Sequence, residues 1–263
     1  MGSKIGKDFI ESLFDVSGKV ALITGATGGF GQAASMGLAM AGAKVMVTGR
    51  KAETLEKLVQ EIKRAGGEAA YSAGSPVDHQ DVQRVVEDTV KTFGGIDILI
   101  TAAGLNKPAP IVEQPVKDWE TVMDVNVKGT WLYCKEVGKV MIEQGRGGKV
   151  ILLSSTRGML GMANYTAYSP SKGAVSLLAK SLACEWGPHK INVNAIAPTV
   201  FRTALTQWMF DDSAFYKNFL KRIPIGRLGE PEDFIGTVIF LSSKASDFMT
   251  GAIVYVDGGY TAG

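Results

Sequence analysis

The sequence predicts an α/β fold in which one parallel sheet of seven strands carries helices on both faces. Short apolar runs alternate with longer amphipathic segments along nearly the whole chain, which is the pattern of a doubly wound sheet. No break in composition, internal repeat or low-complexity segment interrupts this alternation. We therefore expect a single domain over residues 19–263, preceded by an N-terminal arm over residues 1–18.

The individual elements follow from the apolar periodicity in chain order. In the arm, Ile10, Leu13 and Phe14 are expected to dock onto the body of the domain. The predicted strands span 19–24, 44–48, 68–73, 97–101, 149–153, 191–196 and 253–256. Helices are predicted after the first glycine turn, over 52–65, 78–93 and 116–143, from residue 168 onward, and over 235–241. We expect Asp78 to cap the helix that it precedes.

Composition and charge exclude several classes of function. Of the 263 residues, 46% are hydrophobic and 21% are charged, which is the balance of a soluble globular protein. The net charge of +2 is too small to indicate a nucleic-acid partner. Residues 1–17 lack the apolar core of a signal peptide, and no apolar run approaches the roughly 18 residues of a membrane span. Cys134 and Cys184 show no metal-ligand spacing, so a reduced, cytoplasmic protein is expected.

A glycine-rich turn follows the first predicted strand and opens a helix. Glycines 25, 29 and 31 would allow a tight turn and let backbone N–H groups approach a diphosphate. The positive end of the helix would favour the same group. In this strand-turn-helix context the cluster predicts a dinucleotide site and a Rossmann-type fold. The alternative is that the glycines serve only close packing of helix and strand.

The end of the second predicted strand indicates which dinucleotide is preferred. An acidic side chain at this place binds a ribose 2′-hydroxyl, whereas an arginine accommodates a 2′-phosphate. Residues 48–51 contain no Asp or Glu and include Arg50. The sequence therefore favours NADP(H), and NAD(H) stays possible because Gly28 supplies no second cation. Alternatively, Arg50 is a solvated residue at the start of a helix.

A tyrosine and a lysine follow the fifth predicted strand at helical spacing. Tyr168 and Lys172 would share one helix face, and Ser155 at the strand end could donate a hydrogen bond to a carbonyl or alkoxide oxygen. A neighbouring ammonium favours the phenolate, which would bring the phenol toward acid or base chemistry near neutral pH. The three groups suit reversible proton transfer to a substrate oxygen. Since this spacing is common in helices, the interpretation depends on the glycine turn as well.

Taken together, these residues resemble those of the short-chain dehydrogenase/reductase family over nearly the whole chain. The matching motifs are Thr24-Gly25-x-x-x-Gly29-x-Gly31, Ala102-Ala103-Gly104, Asn126, Ser155, Tyr168-x-x-x-Lys172, residues 194–198 and Asp257-Gly258-Gly259. Ser155 precedes Tyr168 by the interval that is usual in the family. Each motif alone is unspecific, but all of them in this order are very specific.

The resemblance implies a role for each motif. Tyr168 would be the general acid in carbonyl reduction and the base in alcohol oxidation, with hydride passing to or from the nicotinamide and no metal involved. Lys172 would hold the nicotinamide ribose and lower the pKa of Tyr168. Ser155 would polarise the substrate carbonyl, and Asn126 would keep a water in a proton relay. The expected cofactor contacts are Gly25, Thr27, Gly28, Phe30, Gly31, Arg50, Ser75, Ala102, Ala103, Gly104, Tyr168, Lys172, Pro198, Val200 and Thr203. The family also implies a homotetramer.

Three positions depart from the family pattern. Thr101 stands where Asn is usual, Ser75-Pro76 where Asp-Val is usual near the adenine, and Pro198-Thr199 where Pro-Gly is usual. None of these residues is a proton-transfer group. We therefore expect altered cofactor affinity and not loss of activity.

Substrate choice in doubly wound folds lies in loops at the carboxyl ends of the strands. These loops are 105–114, 156–165 and 201–225, of which the last is rich in aromatic residues and is predicted to be a mobile lid, with packing or a subunit contact as the alternative. The candidate substrate contacts are Asn106, Lys107, Arg157, Asn164, Arg202 and Trp208. Cations beside Ser155 would suit an anionic sugar acid or a small hydroxylated ketone. Segments 14–20, 221–227 and 256–262 resemble the gluconate 5-dehydrogenase branch of the family.

Three functions of different classes remain open at this point. The first is an NADP-dependent dehydrogenase or reductase for polyols, sugar acids or other small ketones. The second is a 3-oxoacyl thioester reductase, which would need a basic patch for a carrier protein, and the sequence has no clear cluster of that kind. The third is a dinucleotide-binding protein without turnover, which is disfavoured by the intact Ser155, Tyr168 and Lys172.

Overall fold

The predicted seven-stranded parallel sheet is confirmed by the computed structural model, which describes residues 5–203, 206–207 and 213–263. All neighbouring strands are parallel, in the order β3-β2-β1-β4-β5-β6-β7. The strands are β1 Val20–Thr24, β2 Lys44–Gly49, β3 Glu68–Ala73, β4 Ile98–Thr101, β5 Gly148–Leu153, β6 Ile191–Pro198 and β7 Ile253–Val256. The strand order reverses between β1 and β4, and the crevice beyond their carboxyl ends is the place where doubly wound sheets bind ligands.

Helices cover both faces of the sheet. They are α1 Lys7–Phe14, α2 Gly29–Met40, α3 Ala52–Arg64, α4 His79–Phe93, α5 Val116–Met123, α6 Gly129–Gln144, α7 Tyr168–Trp186, α8 Ser213–Leu220 and α9 Pro231–Ser242. Helices α2, α3 and α9 pack on one face, and α4, α6 and α7 pack on the other. Asp78 caps α4 as predicted, because its Oδ1 accepts from the backbone N–H groups of Gln80 and Asp81. No helix in the described ranges has the length and apolar character needed to cross a membrane.

Successive residues of the central strands point into opposite layers. In β1, Ala21 and Ile23 join the apolar cluster under α2, α3 and α9, whereas Leu22 joins the cluster under α4, α6 and α7. All five residues of β1 are buried. A strand buried on both faces has a continuous apolar sequence without alternation, so the sequence locates β1 clearly but cannot assign its side chains to a layer.

The helix predicted over 116–143 is interrupted. Helix α5 ends at Met123, a π-helical turn spans Asp124–Lys128, and α6 continues from Gly129. Asn126 lies in this turn and is fully buried. Single π turns of this kind occur frequently at functional sites. The prediction of one regular helix was wrong in this detail because a one-turn change of pitch does not disturb the apolar periodicity enough to be seen.

The N-terminal arm contains a helix that buries none of its residues. Helix α1 lies near the short turn Lys244–Ser246, beside the strand ends opposite the ligand crevice. Ile10 is 47% exposed and Phe14 is 46% exposed. Of the three residues expected to dock the arm, Ile10 and Phe14 are thus exposed, and Leu13 is partly buried. Residues 1–4 of the arm lie outside the described residues.

Candidate active site

The glycine turn lies where β1 meets β4 at the ligand crevice. Gly25 has φ +61°, and a Cβ on it would lie 2.5 Å from the backbone nitrogen of Ala103. A Cβ on Gly31 would collide with the carbonyl oxygen of Gly25. Both glycines are therefore required by close backbone packing, which agrees with the alternative that the glycines serve the packing of helix and strand. This requirement does not exclude a role in binding.

The start of α2 fits the diphosphate of a dinucleotide. Gly28 is the N-cap residue and provides no side-chain cap, so the first N–H groups of α2 have no side-chain acceptor from that position. A helix N-terminus with uncapped N–H groups favours an anion. Thr27 is exposed beside this turn, and a Cβ on Gly104 would lie 3.4 Å from both Asn126 Oδ1 and Lys172 Nζ. The residues present thus suit a dinucleotide that runs from the glycine turn toward Lys172.

Two of the expected cofactor contacts have side chains engaged elsewhere. The ring of Phe30 packs against Phe201 and Phe234, with centroid distances of 5.0 and 4.8 Å. Only the backbone of Phe30, in the first turn of α2, could serve a cofactor. The Thr203 side chain lies over Gly29 so closely that a Cβ on that glycine would collide with it.

The expected adenosine side of the site lies beyond β2 and β3. Arg50 is exposed directly after β2. Ser75 donates its backbone N–H to Asp81 Oδ2 at 2.9 Å, so Asp81 holds the backbone of this loop. Pro76 is close to α6, since a Cβ on Gly129 would lie 3.1 Å from it. The chain keeps an ordered loop here although the family's Asp-Val pair is absent.

Ser155, Tyr168 and Lys172 come together at the carboxyl ends of β5 and β6. Ser155 is 9% exposed and Lys172 is 4% exposed, and the hydroxyl end of Tyr168 is enclosed although the residue as a whole is only partly buried. The hydroxyl of Tyr168 is hydrogen-bonded to Ser155. Lys172 Nζ donates to the carbonyl oxygen of Leu153 at 2.7 Å and lies 5.7 Å from the centre of the Tyr168 ring. Pro198, at the end of β6, accepts from Ser155 Oγ at 3.5 Å.

Burial controls the protonation of both titratable groups. Desolvation raises the pKa of Tyr168 to about 12, and the Ser155 hydrogen bond and the charge of Arg157 offset only part of this effect. Desolvation lowers the pKa of Lys172 to about 8. The pKa of Tyr168 thus stands above its ordinary value, because burial outweighs the charges near the phenol; the expected opposite effect of Lys172 stays a prediction. The chain holds a protonated phenol at neutral pH.

Asn126 fixes the loop that follows β4. Its Oδ1 accepts from the backbone of Leu105 at 2.9 Å, and its Nδ2 donates to Leu105 O and Ser171 Oγ at 3.0 Å each. Thr130 Oγ1 donates to the Asn126 carbonyl at 2.8 Å. The side chain is thus fully engaged within the protein. If Asn126 holds a water of a proton relay, the water would bind its backbone carbonyl oxygen, which has a second lone pair besides the one that accepts from Thr130.

Arg157 is the most unusual of the predicted substrate contacts. It is 9% exposed, yet no carboxylate forms an ion pair with it among the described residues. Its Nη1 donates to Gly161 O at 3.2 Å and its Nη2 donates to the hydroxyl of Tyr260 at 2.5 Å. Its backbone N–H donates to Ser155 Oγ at 3.1 Å. A buried guanidinium, whose partners among the described residues are neutral, therefore lies beside the cluster of Ser155, Tyr168 and Lys172.

The other predicted substrate contacts differ in how available they are. Lys107 Nζ is paired with Asp118 at 2.5 Å, and Arg202 is exposed and paired with Glu230 at 3.1 Å. Asn106 Oδ1 is buried and has no hydrogen-bond partner in the part of the chain that the structure describes. Asn164 has φ +67°, and its carbonyl accepts from the backbone of Ala109 at 3.0 Å, which ties the two loops together. Trp208 lies outside the described residues.

Two further residues complete the description of the site. Tyr260, on which Arg157 depends, was missed by the sequence analysis, although the ending 256–262 was noted; nothing local to it marks a contact with Arg157. Thr101, the departure from the family's Asn, is 2% exposed, and its Oγ1 has no hydrogen-bond partner among the residues described. Within the described residues, no group of three His, Cys, Asp or Glu side chains is arranged to hold a metal ion.

Comparison with known proteins shows similarity across the whole site. A family model described as Enoyl-(Acyl carrier protein) reductase matches residues 25–261. An uncharacterised oxidoreductase of Mycobacterium tuberculosis (strain H37Rv) is 49% identical over 255 residues, which cover 95% of this chain and 93% of that protein. The 5-keto-D-gluconate 5-reductase of Escherichia coli (strain K12) is 36% identical over 250 residues, covering 95% of this chain and 98% of that protein.

Solved structures of related proteins also resemble this chain over nearly its whole length. The crystal structure of a gluconate 5-dehydrogenase from Burkholderia cenocepacia J2315, in complex with NADP and tartrate, has a TM-score of 0.92 and 34% sequence identity. It covers 96% of this chain, and this chain covers 98% of it. The similarity therefore includes the sheet, the glycine turn and the segment from Ser155 to Lys172.

Proposed function

The chain belongs to the short-chain dehydrogenase/reductase family, and on that premise we propose that it interconverts a secondary alcohol and a ketone on a small hydroxylated anion such as a sugar acid, with NADP(H) favoured over NAD(H). Relatives with near-complete coverage are named as dehydrogenases or reductases that act on CH–OH groups. The observation that carries the proposal is the buried guanidinium of Arg157 beside the enclosed cluster of Ser155, Tyr168 and Lys172.

The proton-transfer role of Tyr168 follows from its protonation. With a pKa of about 12, the phenol keeps its proton at neutral pH and can donate it to a ketone oxygen. Ser155, already bonded to this hydroxyl, can donate to the same substrate oxygen and stabilise the charge that develops on it. The ammonium of Lys172 would stabilise the phenolate left behind.

The cofactor would be held by the chain's own residues along the carboxyl edge of the sheet. The glycine turn and the start of α2 would bind the diphosphate, Arg50 would meet a 2′-phosphate, and Lys172 would hold the nicotinamide ribose. The bound nicotinamide supplies or accepts the hydride. Structures of relatives are described with bound NADP, which supports but does not establish the preference of this chain.

The case for an anionic substrate depends on the cost of burying an unpaired charge. A buried guanidinium without an anionic partner is unfavourable unless its N–H donors find acceptors. Arg157 has five side-chain N–H donors, and its two side-chain hydrogen bonds to described residues leave others for a ligand carboxylate. An anion bound here would lie near the catalytic Ser155. The tartrate in the related gluconate 5-dehydrogenase structure is an anion of the same chemical class.

We also propose that the protein is a homotetramer. Large apolar side chains are exposed along α5, α6 and α7, where Trp119 is 43% exposed, Trp131 47% and Leu177 64%. Exposed apolar surface of this kind favours association. Light scattering of the purified protein should give four times the chain mass of 28.0 kDa, and a monomer mass would refute the assembly.

The compartment is proposed on the chemistry of the cysteines. Cys134 is buried in α6 and Cys184 is exposed on α7, and both are free. Free cysteines fit a reducing compartment. We propose a cytoplasmic location, which fractionation of cells expressing the native protein would test.

The decisive experiment is a spectrophotometric screen with both reduced cofactors. The panel should contain 5-ketogluconate, an uncharged ketose and a 3-oxoacyl thioester. Oxidation of NADPH with 5-ketogluconate supports the proposal, whereas turnover of the thioester alone favours the second alternative. No oxidation of either cofactor with any substrate would favour a dinucleotide-binding protein without turnover.

Tyr168→Phe tests the mechanism within the same screen. We expect the variant to bind NADPH normally and to lose about 10²- to 10⁴-fold in turnover, because only the transferable proton is removed. Tyr71→Phe, an exposed tyrosine on β3, is the matched control and should keep full activity. Near-normal turnover of the Tyr168 variant would contradict the assignment.

A further inference from the structure

The C-terminal tail forms a tight turn after β7. Asp257 Oδ1 accepts from the backbone of Gly259 at 2.9 Å, and its Oδ2 accepts from the backbone and hydroxyl of Thr261 at 2.9 and 2.7 Å. Gly258 has φ +62° and Gly259 has φ +87°, a conformation that other residues adopt only with strain. The Asp-Gly-Gly sequence therefore bends the tail so that the next residue, Tyr260, turns into the protein.

Tyr260 is packed against the second half of the 201–225 segment. It is 2% exposed, and its ring stacks on Phe219 of α8 with a centroid distance of 5.4 Å and an angle of 14°. The guanidinium of Arg222 lies 4.6 Å from the same ring centre. Ile223 belongs to the same apolar cluster. The tail and the segment are thus one packed unit.

The hydroxyl of Tyr260 reaches the guanidinium that is proposed to bind the substrate. It accepts from Arg157 Nη2 at 2.5 Å, and the Arg157 Cζ lies 5.3 Å from the ring centre. The other side-chain hydrogen bond of Arg157 goes to a backbone carbonyl, that of Gly161. Among the described residues, Tyr260 is therefore the side chain that fixes the orientation of this guanidinium, and the same ring is held by Phe219 and Arg222.

We propose that Tyr260 is a positioning residue, which orients Arg157 toward the substrate anion and makes that orientation depend on the packing of residues 219–223 against the tail. This inference rests on the proposed function. An arginine side chain has many rotamers, and fixing one of them before the ligand arrives increases affinity because less freedom is lost on binding. Tyr260 itself need not touch the substrate.

A purely structural role for Tyr260 makes a different prediction. If the hydroxyl only satisfies a buried polar group, its removal should affect anionic and uncharged ligands equally through a general loss of packing. If it positions Arg157, its removal should affect only ligands that carry a carboxylate. The charge selectivity of binding therefore separates the two roles.

The test uses Tyr260→Phe in the full-length protein, which removes the hydroxyl and keeps the stack on Phe219. The two probes are gluconate and glucitol, which both have six carbons. Gluconate carries a carboxylate where glucitol carries a CH₂OH group. With NADP⁺ present, we expect the KM for gluconate to rise about tenfold, with kcat and the KM for NADP⁺ changed less than about twofold, because the lost interaction concerns substrate binding. The rise in melting temperature that gluconate causes should shrink in parallel, while any effect of glucitol should not change.

Two controls make the result specific. Tyr255→Phe removes a phenolic hydroxyl on β7 that contacts Met159 Sδ and should leave both probes unaffected. In an Arg157→Ala background, Tyr260→Phe should have no further effect on gluconate, since the residue through which it acts is absent. Equal losses for both probes, or an unchanged KM for gluconate, would overturn the inference while the proposed function stands.

Failure of the proposed function would look different. In that case neither turnover of gluconate nor a gluconate-dependent melting shift would occur in the unmodified protein. That outcome overturns the inference together with its premise. A melting shift that depends on Arg157 but not on Tyr260 overturns the inference alone.

Discussion

Replacement of Arg157 by alanine is the sharpest test of substrate charge. Arg157 is 9% exposed, and among the described residues both acceptors of its side-chain N–H groups, Gly161 O and the Tyr260 hydroxyl, are neutral. The substitution removes the charge and leaves the serine, tyrosine and lysine of the cluster intact. It should therefore weaken an anionic substrate and spare an uncharged one.

The magnitude follows from the contacts that are lost. A hydrogen bond to a charged group contributes about 1.5–3 kcal/mol, so loss of a two-pronged contact with a carboxylate should raise the barrier by about 3 kcal/mol. This corresponds to a fall of roughly 100-fold in kcat/KM for gluconate. For glucitol we expect less than about a threefold change, since a hydroxymethyl group makes no charge-assisted bond.

The assay is steady-state oxidation of both polyols with saturating NADP⁺, together with thermal unfolding. Arg64→Ala is the matched control, because Arg64 is exposed at the end of α3 and its Nε donates to Gln60 O of the same helix. The control should leave both substrates unaffected. Equal losses on gluconate and glucitol for Arg157→Ala would refute the reasoning, because they would show that the guanidinium supports the fold of the loop and not the substrate charge.

The remaining predictions concern cofactor choice, pH and stability. Arg50→Asp should move the ratio of kcat/KM for NADPH and NADH toward NADH by at least about tenfold, because a carboxylate repels a 2′-phosphate and binds a 2′-hydroxyl; an unchanged ratio would show that Arg50 does not meet the phosphate. The rate of reduction should decline as pH rises through about 8, because Lys172, whose pKa burial lowers to about 8, then loses the proton that supports the phenolate of Tyr168. A profile measured from about pH 6 to about pH 10 that shows no such step would contradict this role. Thr101→Val should raise the melting temperature by about 2–4 °C, since it removes a buried hydroxyl without a partner at a gain of about 1 kcal/mol; calorimetry that shows a lower melting temperature would mean that the hydroxyl is satisfied.

Local sequence patterns were sufficient for the parts of the site that lie within one element or one turn. Gly25 and Gly31 predict the turn, because any other residue at these positions would place its Cβ against the neighbouring backbone. Tyr168 and Lys172 share a face of α7 because the helical repeat places them there. The same patterns could not show the π turn at Asn126, since the apolar positions before and after it keep a helical period.

Contacts between distant parts of the chain decided which charges are available to a ligand. From the sequence, Lys107 and Arg202 were candidate cations for the substrate. In the fold, Lys107 is paired with Asp118, and Arg202 is paired with Glu230. Among the residues that the structure describes, no carboxylate pairs with Arg157. No spacing rule distinguishes these three residues, because their partners are chosen by the way in which loops meet.

The sequence by itself determined the sheet, the glycine turn and the order of the candidate catalytic residues, because these depend on periodicity and on neighbours close in the chain. Only the tertiary structure decided the protonation of Tyr168, because burial raises the pKa of its phenol to about 12. The contact between Arg157 and Tyr260 likewise joins residues 103 positions apart. Desolvation and such pairings exist only once the chain has enclosed the site, so the sequence alone could not reveal them.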